Sequence, residues 1–589
     1  MRPWLPSYGA PEIRAPHLTS FAESGIQFEN CYVQQAVCSP TRNSFMSGRR
    51  PDRTRLWNFK GSFRTTGIDA RGSPGSKWRT LPGAFTTSGW NTAGCGKTFH
   101  PGSPPNWDIA GGSWTFNRSS DGKNNLLIPY VSPNSQVYSF DTHLTAAQRQ
   151  APLDTAFGPC VPRAQANRTT DLRITTCDLA DDLTTDVAIA NAAINNIQKL
   201  AKLRQTPRNT SGSGDFGGRP FFLAAGFHKP HPYWPLPSAL QKSYWHNLSL
   251  PKHRLAPVGM PAPAFVSCDF LQDTADAAQD VARGHGILPN ESFTDDLTRK
   301  IRAGYAAGIT HTDTQVGRVL DALESSHEAN NTVVLFSADH GWGLGENGIW
   351  CKYTVFENQV RVPLIMRVPW LQPERRGTKS SALVEMVDIM PTLLDFAGIL
   401  DTVSATEALD GSSFKPLLEG FSDQHFRKDR FALAPPSPSL WNKSFAFSQY
   451  PRCMNSTLAR EPPYTPNRDV CVGHPADEFT HMGLSVRTHD WRYSEWFRWD
   501  GNKCAPMLHV ASAGAELYDH RGLDVPGSFD YEHTNVVDVP ENADTVRTLR
   551  SVLISHFEAD GGDISTRSCP PPTSDEEQNQ IDMTFERLF

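Results

Sequence analysis

The chain has no run of about 18 apolar residues, the length a membrane-spanning helix needs, so nothing in it reads as a membrane span. It has little net charge. The 56 Lys and Arg against 62 Asp and Glu leave −6, which argues against a broad basic surface for nucleic acid or any other polyanion. If a charged polymer is the substrate, positive charge has to be gathered in a pocket. No internal repeat is present, which excludes a solenoid or a propeller. The first residues show no secretory signal.

What is present is a soluble, globular composition, 38% hydrophobic with mixed charge, in 589 residues. That length is too great for one core and predicts two domains. Eleven cysteines make an odd count, and setting Cys38 aside leaves ten that could pair. Cys160 with Cys177 and Cys453 with Cys471 bracket polar, Pro-containing loops and are the first pairs expected. Eight N-x-S/T sequons start at Asn117, Asn167, Asn209, Asn247, Asn290, Asn330, Asn442 and Asn455, an excess that leans toward a glycoprotein of the secretory pathway.

Along the chain, His17 to Ser24 reads as a helix closed by Gly25, and Ile26 to Val33 as a strand. Leu81 to Ser88 reads as a helix, followed by a strand and a Gly-rich turn through Lys97 and His100. Residues 101–180 read as an elaborated loop region. Val187, Ala190, Ile194, Ile197 and Leu200 recur at helical spacing, and Phe221 to Phe227 is an unbroken apolar strand. A helix over about 297–323 precedes a strand over 332–336, and 362–365 is a further strand. Helix alternating with buried strand predicts a parallel α/β sheet, with ligands at the strand ends. We expect an α/β catalytic domain over 1–421, a linker over 422–440, a smaller C-terminal α+β domain over 441–568 and a disordered acidic tail over 569–589.

The chemistry concentrates at 36–56, A-V-C-S-P-T-R-N-S-F-M-S-G-R-R-P-D-R-T-R-L. Ser39 suits a helix N-cap and Pro40 a first helical position, which places Cys38 at the positive pole of that helix. Arg42 can reach back over the first turn. A nucleophile, helix N–H groups and a guanidinium would meet in one small volume, an anion site.

C-x-P-x-R is short, but the longer run through Gly48-Arg49-Arg50-Pro51 is specific. It resembles the sulfatase family, in which this Cys is oxidised to formylglycine. Q-Q-A-V-C-S-P-T-R, G-R-R-P-D and T-R-L-W resemble the branch acting on iduronate 2-sulfate. Residues 89–100 match a second signature of the family, G-x-x-T-x-x-x-G-K-x-F-H, and 337–353, S-A-D-H-G-W-G-L-G-E-N-G-I-W-C-K-Y, a third. The resemblance implies an alkaline-phosphatase-like fold and hydrolysis of sulfate esters on uronic acid residues of a sulfated oligosaccharide or glycosaminoglycan. It also implies conversion of Cys38 by a formylglycine-generating enzyme.

On the same resemblance, Cys38, Asp339 and His340 hold one Ca²⁺, while Arg42, Lys97 and Lys352 offset the sulfate charge. His228 is the proton donor, with Lys229 and His231 as competitors in F-H-K-P-H, and His100 assists sulfate release. Trp342 could line the sugar subsite or simply fill the core. The family's remaining metal ligands are two adjacent Asp just upstream of a segment like Met1–Gly9. The expectation is therefore that the reading frame extends upstream, with a strand, that Asp pair and a secretory signal. A phosphodiester hydrolase and a non-catalytic family member stay open as rivals.

Overall fold

The computed structural model describes residues 1–100, 103–104, 108, 112–115, 184–207, 216–266 (233 and 235 excepted), 289–419, 426–427, 441–454 (442 excepted), 470–522, 529–561 and 569. Among the described residues, nine strands belong to the larger part: β1 (Ile26–Tyr32), β2 (Asn91–Gly96), β3 (Phe221–Gly226), β4 (Val334–Ser337), β5 (Gly343–Leu344), β6 (Trp350–Cys351), β7 (Arg361–Arg367), β8 (Thr378–Glu385) and β9 (Phe426–Arg427). The main sheet runs β4-β7-β1-β8-β9, and β2-β3 and β5-β6 form two-stranded sheets.

The sheet is mixed, within the mixed or parallel α/β class the sequence indicates. β1 runs parallel to β8 and β2 to β3, whereas β7 is antiparallel to both β1 and β4. The reason lies between β4 and β7. That stretch holds no crossover helix, only the β5-β6 hairpin, short turns and the four-residue helix Glu357–Val360, and without a crossover the chain returns antiparallel. β7, R-V-P-L-I-M-R, is buried from Val362 to Met366, as a strand covered on both faces must be.

Two glycines bring the ends of β2 and β3 together. A Cβ on Gly96 would stand 2.2 Å from the Gly226 carbonyl oxygen, and one on Gly226 only 2.1 Å from the Lys97 carbonyl oxygen. Lys97 and His228 therefore leave their strands side by side. On the far side of β3, Phe221 and Leu223 rest on the same small cluster, Ile197, Leu323 and Ala329, as Val334 of β4. Every residue of β3 and β4 is only half-buried.

Two long helices cover this region, Thr185–Gln205 and Asp295–Ser325. Thr184 and Thr294 cap them, each hydroxyl accepting a backbone N–H at 3.4 Å. Gly304 and Gly308 let the second helix approach Trp234 and Pro230 closely.

The C-terminal sheet is antiparallel: β10 (Ala446–Arg452), β11 (His481–Arg487), β12 (Trp491–Asp500) and β13 (Ala505–Pro506), with β14 (Ala515–Asp519) on the other edge of β12. The β11–β12 hairpin turns at Thr488–Asp490, as its sequence indicates. Helix Ala543–Gly561 packs on this sheet through Leu549, Leu553 and Phe557.

Cys453–Cys471 forms as expected, and Cys504 pairs with Cys569. Cys569 is thereby held against the sheet rather than beginning a free tail. Cys160 and Cys177 lie outside the described residues, as do 570–589 and most of 422–440, within which β9 pairs with β8. Cys31 and Cys95 correct the expectation that ten cysteines could pair. Both are free and buried inside β1 and β2, where burial pushes the Cys31 thiol well up and that of Cys95 to about 12.

Candidate active site

Among the described residues, three other chain segments converge on Cys38, whose exposure is 2%. Lys352 Nζ lies 3.1 Å from its sulfur, His340 Nε2 3.3 Å and Lys97 Nζ 3.4 Å. Cys38 opens the helix Cys38–Ser47, but the cap is Val37 and not Ser39. Val37 is extended (φ −157°, ψ 144°) and its carbonyl takes the Thr41 N–H at 3.2 Å, so β-type backbone runs straight into the first turn. Ser39 instead receives the Asn43 side-chain amide at its carbonyl, 2.8 Å away.

Arg42 does not reach the sulfur as expected. Its Nε donates to Asp339 Oδ2 at 2.9 Å, and its Nη1 donates to the carbonyls of Lys97 and Thr98. One guanidinium thus ties the Cys38 helix to the ends of β2 and β4. Farther along the same helix, Gly48 closes it at φ +68°, while Arg49 pairs with Glu407 and Arg50 with both oxygens of Glu385. The G-R-R part of the motif is an anchor for the helix.

His340 Nδ1 must donate to the Gly341 carbonyl, 2.8 Å away, because a carbonyl can only accept. Its Nε2 then faces Cys38 and Lys352. Trp342 is 4% exposed and stacks between Tyr305 and His340, with the Lys352 ammonium 5.8 Å from its ring centre. It forms the floor beneath the charged cluster and offers no open face to a sugar.

Lys352 stands on an unusual piece of backbone. Asn347, Cys351 and Tyr353 all have left-handed φ, at 57°, 57° and 76°. Non-glycine residues hold that conformation only where their surroundings dictate it. Cys351 is disulfide-bonded, the Tyr353 N–H donates to the Ala36 carbonyl at 3.2 Å, and Arg452 Nη1 donates to the Tyr353 carbonyl at 2.8 Å. Arg452, fully buried at the end of β10, reaches in from the C-terminal sheet.

His100 is buried against Phe59, with ring centres 4.7 Å apart, and its Nδ1 has no hydrogen-bond partner among the described residues. His228 is half-buried, and its ring centre lies 5.0 Å from that of His231. His231 Nδ1 donates to the Pro232 carbonyl at 2.6 Å.

The charges set the protonation states. Burial opposes ionisation of Cys38, but the ammonium groups of Lys352 and Lys97 outweigh it and hold the thiol well below its ordinary range. Asp339 is likewise held well down, with burial overcome by Arg42, His340 and Lys97. Burial, then Lys97 and Arg42 among the nearby cations, push His100 and His228 well below 6.5, so both are neutral.

An anionic or strongly polar group at Cys38 is well supported. The hydrated aldehyde of a formylglycine would meet two ammonium donors and one imidazole nitrogen where the sulfur now stands. A divalent cation is another matter. Cys38, Asp339 and His340 offer three ligand atoms within 4.8 Å of one another, yet only one is a carboxylate oxygen. Ca²⁺ takes six to eight oxygens, and Arg42, Lys97 and Lys352 crowd the same space. The described residues alone do not make a calcium site. A second group of three, Glu357, His520 and Glu532, is neutralised by Arg487 at 3.0 Å from Glu357 and by Arg492 on Glu532, and is an ion-pair network.

The sequence reading missed Asp186 and Arg452. Asp186 shows in the sequence only as a first-turn acid after the cap Thr184, and Arg452 carries no local signal.

The fold is shared with solved structures. One is a phosphonate monoester hydrolase from Silicibacter pomeroyi, at 18% identity and TM-score 0.57 over 95% of this chain and 93% of that one. Another was solved with its substrate D-glucosamine-2-N,6-O-disulfate, at 18% identity and TM-score 0.55 over 93% of each chain. The fold is accordingly alkaline-phosphatase-like α/β. Human iduronate 2-sulfatase is 30% identical over 88% of this chain and 87% of its own length. The sequence model of the family "Sulfatase" matches residues 5–123 and 214–399, more than half of the chain: the chain belongs to the sulfatase family.

Proposed function

We propose that the chain removes sulfate from uronic acid residues of sulfated oligosaccharides or glycosaminoglycan-like chains, in the manner of an iduronate 2-sulfatase. The observation that carries the reading is the bracketing of the Cys38 side chain by Lys97, Lys352 and His340. The 30% identity to human iduronate 2-sulfatase supports the choice of substrate. A formylglycine-generating enzyme is the implied partner. Formylglycine supplies an oxygen nucleophile toward the ester sulfur.

This chain's own residues do the rest. Lys97 and Lys352 neutralise the sulfate oxygens, a preorganised electrostatic effect worth most in a buried site. Arg42 fixes Asp339 and the backbone of Lys97. His228 gives its proton to the departing sugar oxygen, having gained it when the sulfate's negative charge enters. His100, neutral and with a buried ring nitrogen to spare, takes a proton at the Cys38-derived side chain. We place the chain in the secretory pathway, lysosomal or extracellular. In support, the described sequon residues Asn247, Asn290 and Asn330 are all exposed, and no described helix is long and apolar enough to cross a membrane. Residues 1–421 are read as the catalytic unit and 441–568 as its C-terminal companion.

A second reading is a catalytically impaired family member. It is favoured by one observation, the single carboxylate among the described metal-type ligands at Cys38. Mass spectrometry of the peptide containing Cys38, with a sulfate-release assay on 2-sulfated uronate oligosaccharides, separates the two. Aldehyde at residue 38 and turnover abolished in a folded Cys38→Ala variant are expected. Parental turnover in that variant would end the sulfatase mechanism.

A further inference from the structure

His228 leaves β3 two residues after Gly226, in a loop that returns through Pro230 to Trp234. Its backbone is gripped from one side by a single carboxylate. Asp186 Oδ1 accepts the His228 N–H at 2.6 Å and Oδ2 accepts the Lys229 N–H at 2.9 Å. Asp186 is 1% exposed and lies in the first turn of the helix Thr185–Gln205. Thr184, the cap of that helix, is itself held by His311 Nε2 at 2.9 Å. The loop's other anchors act later in the chain. Thr312 Oγ1 donates to the Lys229 carbonyl at 3.1 Å, and Trp234 Nε1 donates to the Pro230 carbonyl at 2.9 Å. Asp186 alone among these meets the backbone of His228 itself.

We propose that Asp186 is a positioning residue that acts through His228, aiming its imidazole at the oxygen of the leaving sugar. The proposal rests on the reading of His228 as proton donor. Two charge-assisted hydrogen bonds from consecutive N–H groups fix the plane of the peptide between them. Asparagine at 186 keeps the size but offers one acceptor oxygen in place of two, and its own amide hydrogens would face the other N–H. The peptide must rotate, and the imidazole with it. A displacement of about 1 Å at a reacting group can cost about 100-fold in rate.

A proton donor matters in proportion to how badly the leaving group needs the proton. The test compares kcat/KM for two substrates of the full-length, aldehyde-bearing chain: a 2-sulfated uronate oligosaccharide, whose alkoxide leaves poorly, and 4-nitrophenyl sulfate, whose phenolate leaves unaided. D186N is expected to lower the first about 10- to 100-fold and the second less than about 3-fold. H228Q should show the same discrimination, and D186N should add nothing in the H228Q background. D186E, which keeps a carboxylate, serves where D186N does not fold, and should show the same bias more weakly. Equal losses on both substrates, or none, in folded D186N with H228Q still discriminating would overturn the role of Asp186 alone. No discrimination in H228Q would remove the reading of His228 and the role of Asp186 with it. Independently of turnover, the His228 ring protons should titrate nearer 6.5 in D186N than in the parent, as the loop loosens toward water; an unchanged titration would also count against the proposal.

Discussion

Replacing Arg42 with lysine keeps the charge and removes the fork. In the structure Arg42 joins Asp339 at 2.9 Å and two backbone carbonyls, and both side chains of the ion pair are nearly buried, at 11% and 12% exposure. Removing one partner of a buried pair typically costs about 3–5 kcal/mol. Lysine retains a positive charge near Asp339, so only the geometric share is lost. That share is one directed charge-assisted bond and one or two carbonyl partners, about 2–3 kcal/mol in all. If it falls on the reaction barrier, kcat/KM drops about 30- to 160-fold. The assay is sulfate release from a 2-sulfated uronate disaccharide, run beside urea unfolding of both proteins. A folded Arg42→Lys variant with parental turnover and only a lower unfolding midpoint would refute the reasoning, and would reduce Arg42 to a structural tie.

Two further outcomes follow from the charges at the site. The free-enzyme pKa of His228 is depressed by burial, then by Lys229, Lys97 and Arg42, with Asp339 opposing. A donor must be protonated, so kcat/KM on sugar sulfates should rise as pH falls below 6.5; a flat profile from pH 7.5 to 5.5 would contradict the role of His228. Stability should move the other way. His100, His228 and His231 are all held neutral by burial and nearby cations. The unfolded chain then binds more protons below about 6.5, and folding free energy present above that pH is lost as the pH falls. A urea midpoint that does not fall between pH 7 and pH 5 would count against these assignments. Finally, the donor set around Cys38 predicts weak Ca²⁺ binding by this chain, in the millimolar range that poorly furnished sites show. Calorimetric titration revealing a micromolar site would mean that oxygen ligands reach it from elsewhere.

Much of this site was legible because its residues are carried in short, locally ordered runs. Cys38 and Arg42 share one helical turn, Asp339 and His340 are adjacent, and Lys352 sits one hairpin away. Long helices were legible too, since 3.6-residue periodicity survives in Thr185–Gln205 and Asp295–Ser325. Strand direction was not. Periodicity says that 361–367 is buried, but nothing in it says that β7 runs against β1. β8, T-K-S-S-A-L-V-E, went unread because its first half is small and polar, although four of its last residues are fully buried in the sheet. Ser39 has the chemistry of a cap and lost the place to the extended backbone of Val37. Asp186 and Arg452 act over separations of 42 residues to His228 and 99 to Tyr353, where sequence has no grammar for pairing a carboxylate or a guanidinium with a distant peptide.

The reach of Arg452 from β10 to the carbonyl beside Lys352 also decides how the molecule can be taken apart. The guanidinium lies over Trp496 of β12, 4.6 Å from the ring centre, and donates to the Pro263 carbonyl as well as to Tyr353. Anyone trimming the C-terminal sheet to obtain a smaller protein, or grafting a different one in its place, would cut the brace beside Lys352 without touching the residues around Cys38. Split into two polypeptides between β9 and β10, the protein should recover turnover only when the halves reassociate, which makes that seam a natural place to put chemistry under the control of assembly.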